Sequence, residues 1–261
     1  MEAVSSVAEV DKKTEYSIPR KHTGVAYSSF LAQLVEKRHA KRYLEIGVSE
    51  GALLSLIKVP TAVGVDPAFK LKHNVIDGKN RLSLYQGTSD EFFREGEPKQ
   101  LLGGSPDFVF LDGLHVFEYL LRDFYNTEAI ATKETLVAMH DCLPLNYEMA
   151  IRDSSVSIKL GMTTSFPRWW AGDVWKIIPI LQEYRPDLRI VAVDAPPTGL
   201  VLITNLDPQS TILKDKYFEI VDKYAAIEGN LSDIDQIYKT IKITKTSDIL
   251  HKFNESLYFR A

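Results

Sequence analysis

Two short apolar runs, Arg42 to Gly47 and Thr61 to Asp66, flank a stretch from Ser49 to Ile57 whose apolar residues return at helical spacing. Strand, helix and strand within about 25 residues make a βαβ unit, with parallel strands and a right-handed connection. The alternation continues downstream. Strands are expected at Leu82–Gln86, Phe108–Asp112 and Leu136–His140, separated by helical stretches over Asp90–Glu95 and Val116–Ala131. Leu188–Val193 and Leu200–Thr204 are joined only by Asp194 to Gly199. That link is too short for a helical crossover, so the pair should form an antiparallel hairpin. Upstream, Phe30, Leu31, Leu34 and Val35 give the segment from Tyr27 to His39 an amphipathic helical face. Asp173 to Tyr184 reads as a further helix, and residues 208–261 read as helical throughout, with Tyr217, Ile220, Val221 and Tyr224 on one face. The expected fold is α/β: a doubly wound, mostly parallel seven-stranded sheet with a terminal antiparallel hairpin, plus N- and C-terminal helices.

Composition narrows the function classes. With 31 basic against 35 acidic residues the formal charge is −4, so no global field attracts phosphate backbones, and nucleic acid is not an expected partner. Cys142 is the only cysteine, which excludes an intramolecular disulfide and suits a reducing compartment. No run approaches the roughly 18 apolar residues of a membrane span, and the first twenty residues lack the apolar core of a signal peptide. The expectation is a cytoplasmic protein without a membrane partner.

Chemistry enters at Glu45-Ile46-Gly47-Val48-Ser49-Glu50-Gly51, where a strand ends beside an acid and a Gly-containing turn leads into a helix. Glycine permits a sharp turn and the close approach of a ligand to the backbone. Asp66 ends the next strand, where a carboxylate can accept hydrogen bonds from both ribose hydroxyls at the switch point of the sheet. Nicotinamide dinucleotides use a related layout with a G-x-G-x-x-G fingerprint. Here Ser49 and Ala52 stand at the second and third glycine positions, and Glu50 sits where a pyrophosphate would come. Glu45 near the loop would instead welcome a cationic ligand, which points to S-adenosylmethionine with its ammonium and sulfonium.

Glu45-Ile46-Gly47-Val48-x-x-Gly51, followed by Asp66, resembles the first motifs of class I S-adenosylmethionine-dependent methyltransferases of the O-methyltransferase type. The resemblance extends over about residues 25–205 and implies a Rossmann-like methyltransferase domain at 23–207, while the polar residues 1–22 read as a flexible arm and 208–261 as a C-terminal helical extension. It also implies Glu45, Gly47 and Gly51 around the methionine portion, Asp66 on the ribose, and Thr88, Ser89 and Asp90, after the third strand, near the adenine. For Ser89 and Asp90, a helix N-cap with an acid in its first turn is an equally good reading.

Phe110-Leu111-Asp112-Gly113-Leu114-His115 and Met139-His140-Asp141-Cys142 close adjacent strands. Asp112, His140 and Asp141 should therefore project into one crevice, where two carboxylates and an imidazole suit a divalent metal such as manganese, iron or zinc, and magnesium less well. Catechol-type and macrolide-sugar O-methyltransferases, which the chain resembles, hold a metal at the corresponding strand ends, and Asp112 also borders the cofactor there. Asp141 as a cap and His140 as a packed histidine are the competing readings. His115 lies three residues after Asp112, where the catechol-type enzymes place a catalytic lysine. An imidazole there suits a general base at neutral pH, against the plainer reading of a residue opening a helix.

Finally, Phe166-Pro167-Arg168-Trp169-Trp170 precedes Trp175 in a long irregular stretch. Arg168, Trp169 and Trp170 are suited to holding a small-molecule or sugar-like acceptor over the crevice. A contact between copies in a homo-oligomer is the alternative for the two Trp residues, and Trp175 at helical spacing from Ile178 belongs to the core. The functional expectation is methyl transfer from S-adenosylmethionine to an acceptor hydroxyl, possible metal assistance included. A nicotinamide-dependent oxidoreductase and a non-catalytic Rossmann-like binding module are the rivals.

Overall fold

The computed structural model describes residues 16–259. Its strands are β1 (Arg42–Ile46), β2 (Thr61–Asp66), β3 (Arg81–Gln86), β4 (Phe108–Leu111), β5 (Leu136–His140), β6 (Arg189–Val193), β7 (Leu200–Thr204) and β8 (Ile243–Thr244). They form one sheet in the order β3-β2-β1-β4-β5-β7-β6-β8. The pairs from β3 through β5 are parallel, β7 is antiparallel to both β5 and β6, and β8 runs parallel to β6. The doubly wound sheet with its terminal hairpin is thus as expected, with one strand more. The eighth lies inside the segment read as wholly helical, because two residues are too few to show an alternating pattern.

Side-chain alternation sorts each strand onto two cores. Leu44 and Ile46 of β1 join Val109, Leu111, Val137 and Met139 on one face. They pack against Phe117, Leu120, Leu121 and Phe124 of α5 (Phe117–Ile130). Tyr43, Phe108, Phe110, Leu136 and Ala138 point the other way, toward Phe30, Leu31 and Leu34 of α1 (Tyr27–Lys37) and Leu53 and Leu54 of α2 (Ala52–Leu56). A sheet covered on both faces is what lets a parallel array of this kind bury its strands completely.

Several details differ from the sequence expectations. The helix expected from Ser49 begins only at Ala52, because Ser49 (φ 48°) and Gly51 (φ 78°) adopt left-handed backbone. Pro98–Leu102 forms a short helix, α4, that hydrophobic periodicity misses, with Pro98 in its first turn. The irregular stretch after Asp141 contains the helix Ser154–Gly161. Residues 1–15 of the expected arm lie outside the described residues. Its described end is packed: His22 is buried, with Nε2 3.2 Å from the Leu143 carbonyl, to which the Tyr238 hydroxyl also donates at 2.9 Å. No helix among the described residues is long and apolar enough to cross a membrane.

Candidate active site

The chain leaves β1 toward β2 on one side and, later, toward β4 on the other. The carboxyl ends of these strands therefore border a crevice at the topological switch point. Gly47 continues β1 with φ 88°, and a Cβ on it would lie 1.9 Å from the Asp112 carbonyl oxygen. Only glycine lets the two strand ends meet this closely. Beside the contact opens a cavity of about 290 Å³, lined among others by Gly47, Asp66, Thr88, Ser89, Asp90 and Tyr119.

Asp66 is buried at the cavity edge, and its two carboxylate oxygens accept the backbone N–H groups of Ser49 and Ala68, each at 2.7 Å. Each oxygen retains lone-pair capacity, so the group is oriented and still able to accept further hydrogen bonds. Thr88 caps α3 (Ser89–Glu95) in a reciprocal capping box with Glu91. Asp90 is held by Arg122 through three contacts of 2.8–3.1 Å. The cap is therefore Thr88, one residue before the expected Ser89, with Asp90 as an acid of the first turn, and all three residues line the cavity.

Two residues expected around the methionine portion do not line this cavity. Glu45 is buried on the α1 face and accepts the Tyr43 hydroxyl at 2.6 Å. Burial pushes its carboxyl up to about 8 against the opposing hydrogen bond from Tyr43, so the negative charge on which the cation argument drew is largely absent at neutral pH. Gly51 makes room for Val75, whose Cγ1 would lie 2.5 Å from an added Cβ, and its left-handed φ opens α2. The charge of Glu50 is answered by Lys72 in an exposed pair.

Asp112, His115, His140 and Asp141 form one cluster. His115 Nε2 lies 3.6 Å from Asp112 Oδ1 and 3.2 Å from Asp141 Oδ2; His140 Nδ1 lies 3.3 Å and 3.2 Å from the same two oxygens. Three donor atoms, from Asp112, His115 and Asp141, converge within 4.8 Å of one another as a set able to hold a cation. His115 joins this set in the place expected for His140. His140 stands beside the acids, with neither ring nitrogen in hydrogen-bond geometry among the described residues, under the Tyr27 ring at 4.3 Å between centroids. Two carboxylates this close favour a positive charge beside them, and the His140 imidazolium can itself supply one.

The electrostatics agree. Burial opposes charge on both histidines, yet contact with Asp112 and the charge of Asp141 raise His115. The charges of Asp141 and Asp112 raise His140 well above the usual imidazole range. Burial works against the Asp112 carboxylate too, but the His140 charge outweighs it and holds that group below the ordinary range. Asp141 bends the chain at φ 59° and accepts the Thr198 hydroxyl at 2.6 Å, which ties the cluster to the loop that joins β6 and β7.

The Trp segment meets the cluster from above. The Trp170 ring stacks on His115 at 4.9 Å, its carbonyl lies 3.2 Å from His115 Nδ1, and its indole N–H donates to the Ile151 carbonyl at 2.9 Å. Trp169 is exposed and packs on Phe166, Arg168 is exposed with φ 67°, and Trp175 is core as expected. Sequence reasoning missed Tyr27, whose place over His140 depends on how α1 crosses the sheet.

No family model and no curated protein sequence matches the chain. Among solved structures it is similar to an O-methyltransferase from Bacillus cereus in complex with SAH, at 15% identity over 73% of this chain and 84% of that one, with a TM-score of 0.46. It is also similar to the O-methyltransferase TomG from Streptomyces achromogenes, involved in tomaymycin synthesis and in complex with SAM, at 15% identity, 69% and 79% coverage and a TM-score of 0.48. A putative O-methyltransferase from Klebsiella pneumoniae matches at 18% identity, 69% and 80% coverage and a TM-score of 0.45.

Proposed function

We propose that the chain transfers a methyl group from S-adenosylmethionine to a hydroxyl of a small-molecule or sugar-like acceptor. The observation that carries this reading is a juxtaposition. The cavity bordered by Gly47 and Asp66 is also lined by Gly113 and Leu114, which stand in the chain between Asp112 and His115 of the Asp112, His115 and Asp141 cluster. A nucleoside held by Asp66 would place its reactive end toward a group of acids and imidazoles suited to an acceptor hydroxyl.

On this reading the chain's work is to position the sulfonium methyl and the acceptor oxygen in line, about 3 to 3.5 Å apart, and to remove one proton. The methyl passes from sulfur to oxygen, and the hydroxyl proton leaves to His115 Nε2. Asp112 and Asp141, with His140 beside them, would hold a divalent cation, which when bound supplies Lewis-acid chemistry that lowers the hydroxyl's pKa. Leu114 and the exposed Trp169 with Arg168 offer apolar surface and one positive charge to the acceptor. The protein would act in the cytoplasm.

A second role for His115 is favoured by the convergence of its Nε2 with the two carboxylates, namely cation ligand instead of base. His115→Ala separates the two. As the base, its loss slows transfer by roughly 10²–10⁴-fold with divalent-ion affinity kept; as a ligand, its loss weakens the ion itself. The cofactor assignment is tested by calorimetry with S-adenosylmethionine, its demethylated product and nicotinamide dinucleotide on the parent and on Asp66→Ala. Binding of the first two, weakened in the variant by about 1.5–3 kcal/mol for each lost charged hydrogen bond, is expected. Binding of the dinucleotide alone would move the chain to the oxidoreductase class.

A further inference from the structure

Thr88, Ser89 and Asp90 line the cavity beside Gly47 and Asp66, and Tyr119 joins the same lining from α5. Phe92 is the one fully buried residue of α3, so burial does not fix the first turn, Ser89 to Glu91, against the rest of the molecule. Two consecutive residues of α5 hold that turn. The Arg122 guanidinium forks onto Asp90, Nε donating to Oδ1 at 2.9 Å and Nη2 to Oδ2 at 2.8 Å. Asp123 accepts a hydrogen bond from the Ser89 side chain.

Arg122 does more than pair with Asp90. Its guanidinium lies 4.2 Å from the centroid of the Tyr119 ring, one turn back along α5, in a cation–π contact. One edge of the group therefore holds one lining residue while its face holds another. The remaining nitrogen, Nη1, donates to the hydroxyl of Tyr217, which opens the helix Tyr217–Ala225 and meets the Tyr125 ring edge-on at 6.2 Å. All three guanidinium nitrogens are engaged, so the orientation of Arg122 is set from three directions. Its side chain is 21% exposed and that of Asp90 37%. A pair so open to water adds little to stability, and its consequence is positional.

We infer that Arg122 is a positioning residue for the methyl donor: it fixes Asp90 and Tyr119 at the base end of the cavity, and through Tyr217 it makes the C-terminal helices a determinant of donor affinity. The inference rests on the proposed function, because the cavity must take a nucleoside with its ribose on Asp66 and its base toward Thr88 to Asp90. On that reading the base meets an acid already neutralised and an aromatic ring already braced, a setting suited to an uncharged, flat ring system.

Calorimetry with two probes, S-adenosylmethionine and adenosine, separates the base end of the donor from its methionine end. Arg122→Met keeps the aliphatic stem and removes the fork. It should weaken both probes by about tenfold and by the same factor, while the urea midpoint moves little. Asp90→Asn added to Arg122→Met should cost less than about a further twofold, since the fork is already gone. Tyr217→Phe removes one hydroxyl outside the cavity lining and should weaken both probes by about two- to fivefold. An Arg122→Met protein that binds both probes within about twofold of the parent, or one that loses affinity for S-adenosylmethionine but not for adenosine, overturns the positioning role and leaves the functional reading intact. So does a parent that binds S-adenosylmethionine and not adenosine. Unchanged affinity in Tyr217→Phe overturns the part given to the C-terminal helices. A parent that binds neither probe removes the functional reading first, and this inference with it. Should Arg122→Met not fold, Arg122→Lys, which keeps the charge and loses the fork, is expected to weaken both probes alike.

Discussion

Asp123 offers the sharpest physical test. It lies on α5, with Oδ2 3.6 Å from where a Cβ on the cavity residue Gly113 would sit, almost fully buried and with Oδ1 lacking a hydrogen-bond partner among the described residues. Burial, opposed by a hydrogen bond from Ser89, pushes its carboxyl from an ordinary 3.8 up to about 7. The folded chain therefore keeps a proton that the unfolded chain releases. The stability this group contributes is intact below about pH 4, declines as pH rises, and is lost once pH passes through about 7. A displacement of roughly three units at 1.36 kcal/mol each amounts to about 4 kcal/mol. Glu45 slopes in the same direction, so the parent's own curve mixes both groups. The difference between Asp123→Asn and the parent isolates one. Urea unfolding should find the two proteins alike near pH 4, with the variant ahead by about 3–4 kcal/mol near pH 9. At ordinary denaturant sensitivity this is a midpoint gain of roughly 1–2 M. A difference curve that stays flat from acid to alkaline pH would show that Asp123 is ionised in the folded protein, and the burial argument would be wrong.

Gly47→Ala should lower stability by more than about 3 kcal/mol, since left-handed strain adds to a contact with the Asp112 carbonyl, and residual folded protein should bind S-adenosylmethionine poorly; chemical denaturation and calorimetry check the two effects. Manganese added to chelator-treated protein should raise the melting temperature, with a stabilisation of about 2.7 kcal/mol at a hundred times its dissociation constant, and Asp141→Asn should abolish the response. Glu128→Gln, which removes one partner of the buried Arg185 guanidinium, should cost about 3 kcal/mol in unfolding free energy while leaving cofactor binding alone.

The sheet was legible because its strands are short, apolar and bounded by residues that end them, and Leu200–Thr204 and Leu136–His140 fall where the pattern puts them. Asp66, Asp112 and Asp141 were legible for the same reason, since residues at the ends of parallel strands border the carboxyl-edge crevice, whereas His140 ends its strand on the α1 face under Tyr27 and yields its place to His115. Other features depend on distances along the chain that no local pattern carries. Asp90 and Arg122 are 32 residues apart, and His115 and Trp170 are 55 apart. Glu45 misleads for a different reason. Spacing places it beside the cofactor turn, but strand alternation turns its side chain to the α1 face, with Tyr43.

The meeting of Gly47 with the Asp112 carbonyl bears on how such a site can be altered or transplanted. The contact at residue 112 is made by its main chain, not its carboxylate. A saturation library should accordingly reject every replacement at position 47 for reasons of folding alone, while position 112 should admit isosteres that fold and yet do no chemistry. The glycine turn and the strand end bearing the acid also form a single mechanical part, so a loop graft that carries one without the other into a new scaffold would deliver a donor pocket out of register with its reaction centre.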